Sequence, residues 1–90
     1  MFVLALSLCA FADCNTYVIE TDDTWNTPKM CEVSADNHHV ELASLWRFDY
    51  SNKTLFKDYA GLEEYLSRYN VQEDSLTLES YELECIDIGV

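Results

Sequence analysis

The sequence has little glycine, little proline and few basic residues: two, one and five of its 90 residues, respectively. So little glycine and proline excludes long flexible linkers and low-complexity segments, and we find no internal repeat. The shortage of lysine and arginine argues against direct binding to a nucleic-acid backbone, because that affinity comes from basic side chains. It argues against binding to an anionic membrane surface for the same reason.

One apolar run, Met1–Ala12, carries no charge. It is too short for a transmembrane helix, which needs about 20 apolar residues. Ala10-Phe11-Ala12 resembles the cleavage site of a secretory signal, but the run lacks a basic start and is shorter than the usual ~15–30 residues. We expect an ordered strand here, followed by a turn and a second strand over Thr16–Thr21. A signal cleaved after about Ala12 stays the alternative.

Apolar and aromatic residues are plentiful. Hydrophobic residues make up 49% of the chain, and two Trp, six Tyr and four Phe are present. A disordered chain is poor in these types, because it cannot bury enough apolar surface to offset the entropy of ordering. We therefore expect residues 1–90 to fold as a single domain.

The net charge is the strongest signal in the composition. Seventeen acidic residues against five basic ones give a formal charge of −12. Such an excess favours a basic partner, either a basic protein surface that itself binds nucleic acid or a divalent cation. The alternative is that the acidity serves solubility alone.

The four cysteines are Cys9, Cys14, Cys31 and Cys85. Their spacings match no zinc-binding pattern, and no Cys-x-x-Cys motif occurs. We expect free, partly buried thiols in a reducing cytosol, and one or two disulfides in a secreted protein remain the alternative.

Periodicity predicts one clear helix. Asp58 is suited to cap its start, and Asn70 to end it. Between them, Tyr59, Leu62 and Leu66 fall on one face, with Tyr69 continuing the stripe. Gly61 inside this helix indicates either close packing or a later start.

Other segments read as strands. Besides the two strands at the start, we expect Lys29–Ala35, Trp46–Tyr50, Thr54–Phe56 and Leu76–Ile88. The segment from His38 to Tyr50 fits a strand or a helix, and strand is favoured for its second half. Ser51-Asn52-Lys53 is typical of a short turn, because Asn tolerates the left-handed conformation. The sum is an α+β fold, with a small antiparallel, meander-like sheet of about four to six strands and one main helix packed on it.

Acidic residues in spaced sets are the candidate partner-binding residues. Glu82 and Glu84 share one face of the last strand, where two residues advance about 6.6–6.8 Å, close to the spacing of phosphates along a nucleic-acid strand. Trp25, in a polar loop, is a candidate exposed anchor for a partner, and the alternative is that it folds back over the core. The other candidates are Asp22, Asp23, Glu63, Glu64, Glu73, Asp74, Glu79 and Asp87.

Chemistry-bearing motifs are weak. Adjacent His38 and His39 would point to opposite faces of a strand, so we expect no metal site there. The sequence has neither a glycine-rich phosphate loop nor a motif around a nucleophile. We therefore expect no enzyme activity and no cofactor.

The functional hypothesis is a small acidic inhibitor or decoy that mimics nucleic acid and blocks a basic site on a host or defence protein. In size and charge alone, the chain is similar to anti-CRISPR and anti-restriction proteins, and it shares no motif with them. This reading places it in the cytoplasm, the host cell cytosol if it is encoded by a phage. The alternative is a secreted interaction protein with a cleaved signal and one disulfide, a reading that the glycosylation sequon Asn52-Lys53-Thr54 also favours.

Overall fold

The computed structural model describes residues 1–89, which form five strands and two helices. In chain order they are β1 (Phe2–Ala10), β2 (Asp13–Thr21), α1 (Pro28–Leu45), β3 (Trp46–Asp49), β4 (Thr54–Lys57), α2 (Tyr59–Arg68) and β5 (Ser80–Asp87). Every strand pair is antiparallel. The α+β class is therefore confirmed.

The strands form two sheets rather than one. A three-stranded sheet has the order β2-β1-β5, and β3 pairs with β4 in a separate hairpin. The prediction of one meander-like sheet of four to six strands with one main helix is wrong on both counts. Helix α1 carries the chain away after β2, so the open edge of β1 is filled by β5, from the far end of the chain.

Strand β1 is the centre of the larger sheet, which confirms the expected strand over Met1–Ala12. Its alternate side chains Leu4, Leu6 and Leu8 are almost fully buried, at 0%, 0% and 1% exposure. The hairpin to β2 turns at Phe11, which has a φ of 56°. The segment that resembles a signal cleavage site is thus the turn between two paired strands.

Helix α1 replaces the strand expected over Lys29–Ala35, and that prediction is wrong. Pro28 stands in its first turn, where the missing N–H is no loss and the fixed φ suits a helix. Its buried stripe is Cys31, His38 and Leu42. This stripe is poor in ordinary apolar residues, whereas three apolar side chains of the helix are exposed: Met30, Val33 and Val40. That inverted pattern concealed the helical period.

The hairpin and α2 follow the sequence prediction closely. Asp58 caps α2 by accepting a hydrogen bond from the Gly61 amide at 3.0 Å. Gly61 permits close packing of α2 on the end of α1, since an added Cβ would lie 2.5 Å from Cδ2 of Leu45 and displace that side chain. The left-handed residue of the β3–β4 turn is Lys53, with a φ of 53°, and not Asn52.

The last strand begins later than expected, at Ser80 rather than Leu76. The segment before it is held by a lysine: Nζ of Lys57 donates to the carbonyls of Ser75 at 2.8 Å and Leu78 at 2.6 Å. These carbonyls therefore bond to an ammonium group instead of to a neighbouring strand.

All four cysteines are paired, so the expectation of free thiols is wrong. Cys9 bonds to Cys14 across the β1–β2 hairpin, and Cys31 bonds to Cys85, joining the start of α1 to β5. The sequence does not predict the second pair, because cysteines 54 residues apart reveal their proximity only through the topology.

The hydrophobic core lies on one face of the three-stranded sheet. Leu6 and Leu8 pack there with Leu42 of α1 and with Leu62 and Leu66 of α2. A second cluster contains Leu4, Cys31 and Trp25. Both helices therefore cover the same face, and the opposite face is called the outer face below.

Trp25 is only 7% exposed, so its reading as an exposed anchor is wrong. The carbonyl of Trp25 accepts a hydrogen bond from the Phe2 amide at 3.1 Å. The ring thus closes one end of the core, as the alternative reading proposed.

Candidate functional site

The outer face of the three-stranded sheet is defined by Ser7, Thr16, Val18, Glu82 and Glu84. Register places these side chains in two cross-strand rows. One row is Thr16, Ser7 and Glu82, and the other is Val18, Ala5 and Glu84. Both glutamates are exposed, and within residues 1–89 their side chains make no hydrogen bond or ion pair. The predicted pair of carboxylates on one strand face is therefore present and open to a partner.

The neutral half of this face is locally ordered. The hydroxyls of Ser7 and Thr16 lie 2.8 Å apart and bond to each other. Val18 beside them is 57% exposed. Carboxylates therefore occupy only the β5 side of the outer face, and the β2 side presents hydroxyl and apolar groups.

A second acidic group lies at one end of the same sheet. Asp22 and Asp23 follow the end of β2, and Asp87 ends β5, two strands away. Asp22 accepts bonds from the amide and hydroxyl of Thr24, which lower the pKa of its carboxyl group. Asp87 accepts from the Gly89 amide at 2.9 Å. These two aspartates are thus engaged in shaping loops.

The acids of α2 and the following link form a third group. The Ser75 hydroxyl donates to Glu63 at 3.2 Å, and Glu64 lies 3.8 Å from Arg68. Glu73 accepts hydrogen bonds from the hydroxyl of Tyr17 and from Nδ2 of Asn15, at 3.0 Å for the latter.

The two remaining candidates also belong to the link. The side chain of Asp74 accepts from the Leu76 amide at 2.9 Å. Glu79 is exposed immediately before β5, and its backbone amide bonds to the carbonyl of Cys9. The structure therefore distributes the predicted acids over three regions, and most of them outside the outer face have local structural partners.

Among residues 1–89, no basic side chain forms an ion pair with Glu82 or Glu84 on the outer face. Arg68 pairs with Glu41 at 3.2 Å, and Lys57 is held by backbone carbonyls. The guanidinium of Arg47 lies over the ring of Phe56, 4.9 Å from its centroid. None of these contacts reaches Glu82 or Glu84, so the field of both carboxylates extends into solvent.

A cleft adjoins the outer face along the free side of β5. It has a volume of about 490 Å³ and is lined by Ala35, Asp36, His39, Tyr81, Glu82 and Leu83. The Tyr81 hydroxyl and Nδ1 of His39 lie 2.9 Å apart across it. We call it the α1–β5 cleft. Sequence reasoning missed it because it depends on α1, for which the sequence predicts a strand over Lys29–Ala35 and leaves the segment from His38 open between strand and helix.

A partly buried hydrogen-bond network joins three elements beside a second cleft of about 410 Å³. Nδ1 of His38 lies 2.7 Å from the Tyr65 hydroxyl, and Nε2 lies 2.9 Å from Oε2 of Glu20. The hydroxyl of Ser34 also donates to Glu20. Both ring nitrogens of His38 are thus occupied, and Ser34 bonds to a carboxylate rather than to the imidazole. This arrangement orders the core side of the sheet.

The β3–β4 hairpin exposes several aromatic side chains. Phe48 and Phe56 are each 46% exposed, and Tyr50 is 83% exposed. The rings of Phe48 and Tyr50 meet edge to face at 4.8 Å. The hairpin therefore has few apolar contacts with the core apart from Trp46, which is buried.

In comparisons with known proteins, no protein-family model, curated protein or solved structure matches this chain. Among residues 1–89, no three His, Cys, Asp or Glu side chains are grouped closely enough to hold a metal ion. Neither described helix combines the length and apolarity needed to span a membrane.

Proposed function

We propose that this chain is an acidic binding protein whose outer face occupies a basic site on another protein, as a nucleic-acid mimic or decoy does. The observation that carries the proposal is the pair Glu82 and Glu84, exposed on one face of β5 and without an internal cation. A basic groove built for successive phosphates meets carboxylates about 6.6–6.8 Å apart along an extended strand.

The rigid support of the two carboxylates strengthens this proposal. Strand β5 pairs with β1 over eight consecutive residues, and the disulfide from Cys85 joins it to α1. A preorganised pair of charges loses little conformational entropy on binding, because the backbone that carries it is already fixed. The proposed targets are therefore basic surfaces of nucleic-acid-handling proteins, including host or defence proteins.

Salt dependence and charge reversal test this function together. We expect affinity for a basic nucleic-acid-binding protein, captured from the source cell, to fall as ionic strength rises. The double variant Glu82→Lys, Glu84→Lys is expected to weaken binding about tenfold or more. The matched control is Asp13→Lys with Glu32→Lys, two exposed acids outside the candidate site whose reversal changes the net charge equally. Equal weakening by both double variants would assign the effect to net charge and sink the proposal.

The two disulfides favour a second candidate, a secreted interaction protein. Disulfides persist in oxidising compartments and are rare in the cytosol of mesophiles. Because β1 is the central strand and supplies Cys9, this candidate keeps Met1–Ala12 in the folded chain. Thiol labelling and intact mass of the natural protein test it. A product that begins after Ala12, or one with four labelled thiols, contradicts it.

A further inference from the structure

Within residues 1–89, β5 pairs only with β1, so the backbone groups along its other edge have no strand partner. Ile88 N donates to the Met1 carbonyl at 3.0 Å, and the same register pairs Glu84 with Ala5 and Glu82 with Ser7. Peptide groups alternate in direction along an antiparallel strand. Those of Glu82 and Glu84 therefore face β1, and those of Tyr81 and Leu83 face away from it.

This edge lies between two different chemical surfaces. On the outer face are the carboxylates of Glu82 and Glu84. On the other side is the α1–β5 cleft, where Tyr81 and Leu83 of β5 face Ala35, Asp36 and His39 of α1. An added strand would therefore place its alternate side chains in a carboxylate field and in a partly apolar cleft.

Resting on the proposed function, we infer that the β5 edge binds an extended basic segment of the partner as an additional antiparallel strand. Its apolar residues enter the α1–β5 cleft, and the lysines or arginines between them face Glu82 and Glu84. Its backbone pairs with the N–H and C=O groups of Tyr81 and Leu83. Strand addition of this kind takes affinity from the backbone and specificity from alternate side chains.

Charge decides against a second copy of this chain as the occupant. Pairing of two β5 edges would bring Glu82 and Glu84 of one copy beside those of the other, and like charges on paired strands are destabilising. Charged residues on edge strands commonly prevent such self-association. The same carboxylates attract a strand of opposite charge. The β5 edge therefore disfavours pairing with a second copy and favours pairing with a basic segment.

The edge of β2 lacks these features. Its outer-face residues are Thr16 and Val18, without a charge, and the bonds of Tyr17 and Asn15 to Glu73 occupy its other face. This edge serves as an internal reference in the experiment.

The test uses a short peptide in which lysine and valine alternate, added to the isotope-labelled protein. We expect salt-sensitive binding and slower hydrogen exchange at the Tyr81 and Leu83 amides, with no change at Thr16 and Val18. N-methylation of the valines removes the donors that face β5 and is expected to weaken binding about tenfold, because each buried partner left unpaired is destabilising. N-methylation of the lysines, whose amides point away, is expected to have little effect.

Two kinds of failure are distinguishable. A peptide that binds with salt sensitivity, but equally well in both methylated forms and without protecting Tyr81 and Leu83, overturns strand addition and leaves the acidic binding function standing. If neither the alternating peptide nor a peptide with the same lysines in one block binds at low salt, both the inference and the proposed function are contradicted.

Discussion

The hydroxyl of Tyr65 lies 2.7 Å from Nδ1 of His38, so a single buried hydrogen bond joins the two helices. Tyr65 is fully buried, and burial raises the pKa of its phenol well above the ordinary value. Because the carboxylate of Glu20 on β2 can only accept, the N–H of the neutral His38 ring is at Nε2, and Nδ1 accepts a hydrogen bond from the phenol. This tautomer satisfies all three groups, and His38 becomes the link between the sheet and both helices.

Removal of the Tyr65 hydroxyl is expected to destabilise the fold. Tyr65→Phe keeps the ring but leaves Nδ1 of His38 buried without a donor, which lowers the free energy of unfolding by about 1–3 kcal/mol. Chemical denaturation measures it. The control is Tyr59→Phe, because Tyr59 is 47% exposed and loses no described hydrogen bond. Equal stability of the two variants would contradict the role of the His38–Tyr65 bond.

Lys57 is expected to stabilise the fold through its hydrogen bonds to backbone carbonyls. Lys57→Met deletes the ammonium that binds the carbonyls of Ser75 and Leu78, and we expect a loss of about 1–3 kcal/mol in stability. Lys53→Met, at the exposed hairpin turn, removes the same charge and is the control. Faster amide exchange confined to residues 75–79 in the Lys57 variant would locate the effect. No difference between the variants would refute it.

The two disulfides are expected to contribute unequally. Cys31 and Cys85 are 54 residues apart, whereas Cys9 and Cys14 are five apart. Because closing a longer loop removes more entropy from the unfolded chain, the loss on replacement is about 4 kcal/mol for the first pair and about 2 kcal/mol for the second. Unfolding of the two double Cys→Ala variants in urea measures the difference. The reverse order of stability would contradict this account.

Three tyrosines are expected to make the fold sensitive to alkali. The carboxylate bound to Tyr17 raises the pKa of its phenol, and burial raises the pKa of the phenols of Tyr65 and Tyr81, all above the usual value of 10.0. A raised pKa means that the native state holds protons that the unfolded chain has released. The stabilising contribution is therefore complete below pH 10 and is lost as the pH rises through the native pKa values.

Absorbance of tyrosinate during a pH titration checks this expectation. In the native protein these three phenols should ionise later than in the denatured chain, and ionisation should accompany unfolding. Tyr17→Phe is expected to remove one late-ionising group. Simultaneous ionisation of all six tyrosines near pH 10 in a protein that stays folded would contradict the prediction.

The elements that the sequence predicts well are determined by residues within the element itself. For α2, the cap at Asp58 and the stripe of Leu62 and Leu66 are contained within the helix itself. For α1, the burial of His38 depends on Tyr65 and Glu20, which lie far away in the sequence. From the sequence alone, the polar residue in the buried stripe is therefore expected to be exposed, and Val33 and Val40, which are exposed, are expected to be buried. Local pattern therefore failed where partners from other elements decide burial.

The candidate site likewise combines features that the sequence predicts with features that depend on which elements meet. Alternation along β5 predicts that Glu82 and Glu84 share a face, because that property belongs to one strand. The burial of Trp25 and the α1–β5 cleft depend on which elements meet, so they could not be derived from composition or spacing. The bonds of Glu73 to Tyr17 and Asn15 likewise require the link after α2 to return to β2.

The order of the strands has a consequence for how the molecule is made. The central strand β1 is synthesised first of all the elements, and its partner β5 is synthesised last. The β1–β2 hairpin can form early, but one side of β1 remains unpaired until β5 has left the ribosome. Such long-range pairing slows folding and leaves an apolar strand exposed to aggregation meanwhile. Completion of the three-stranded sheet therefore waits for its most distant strand.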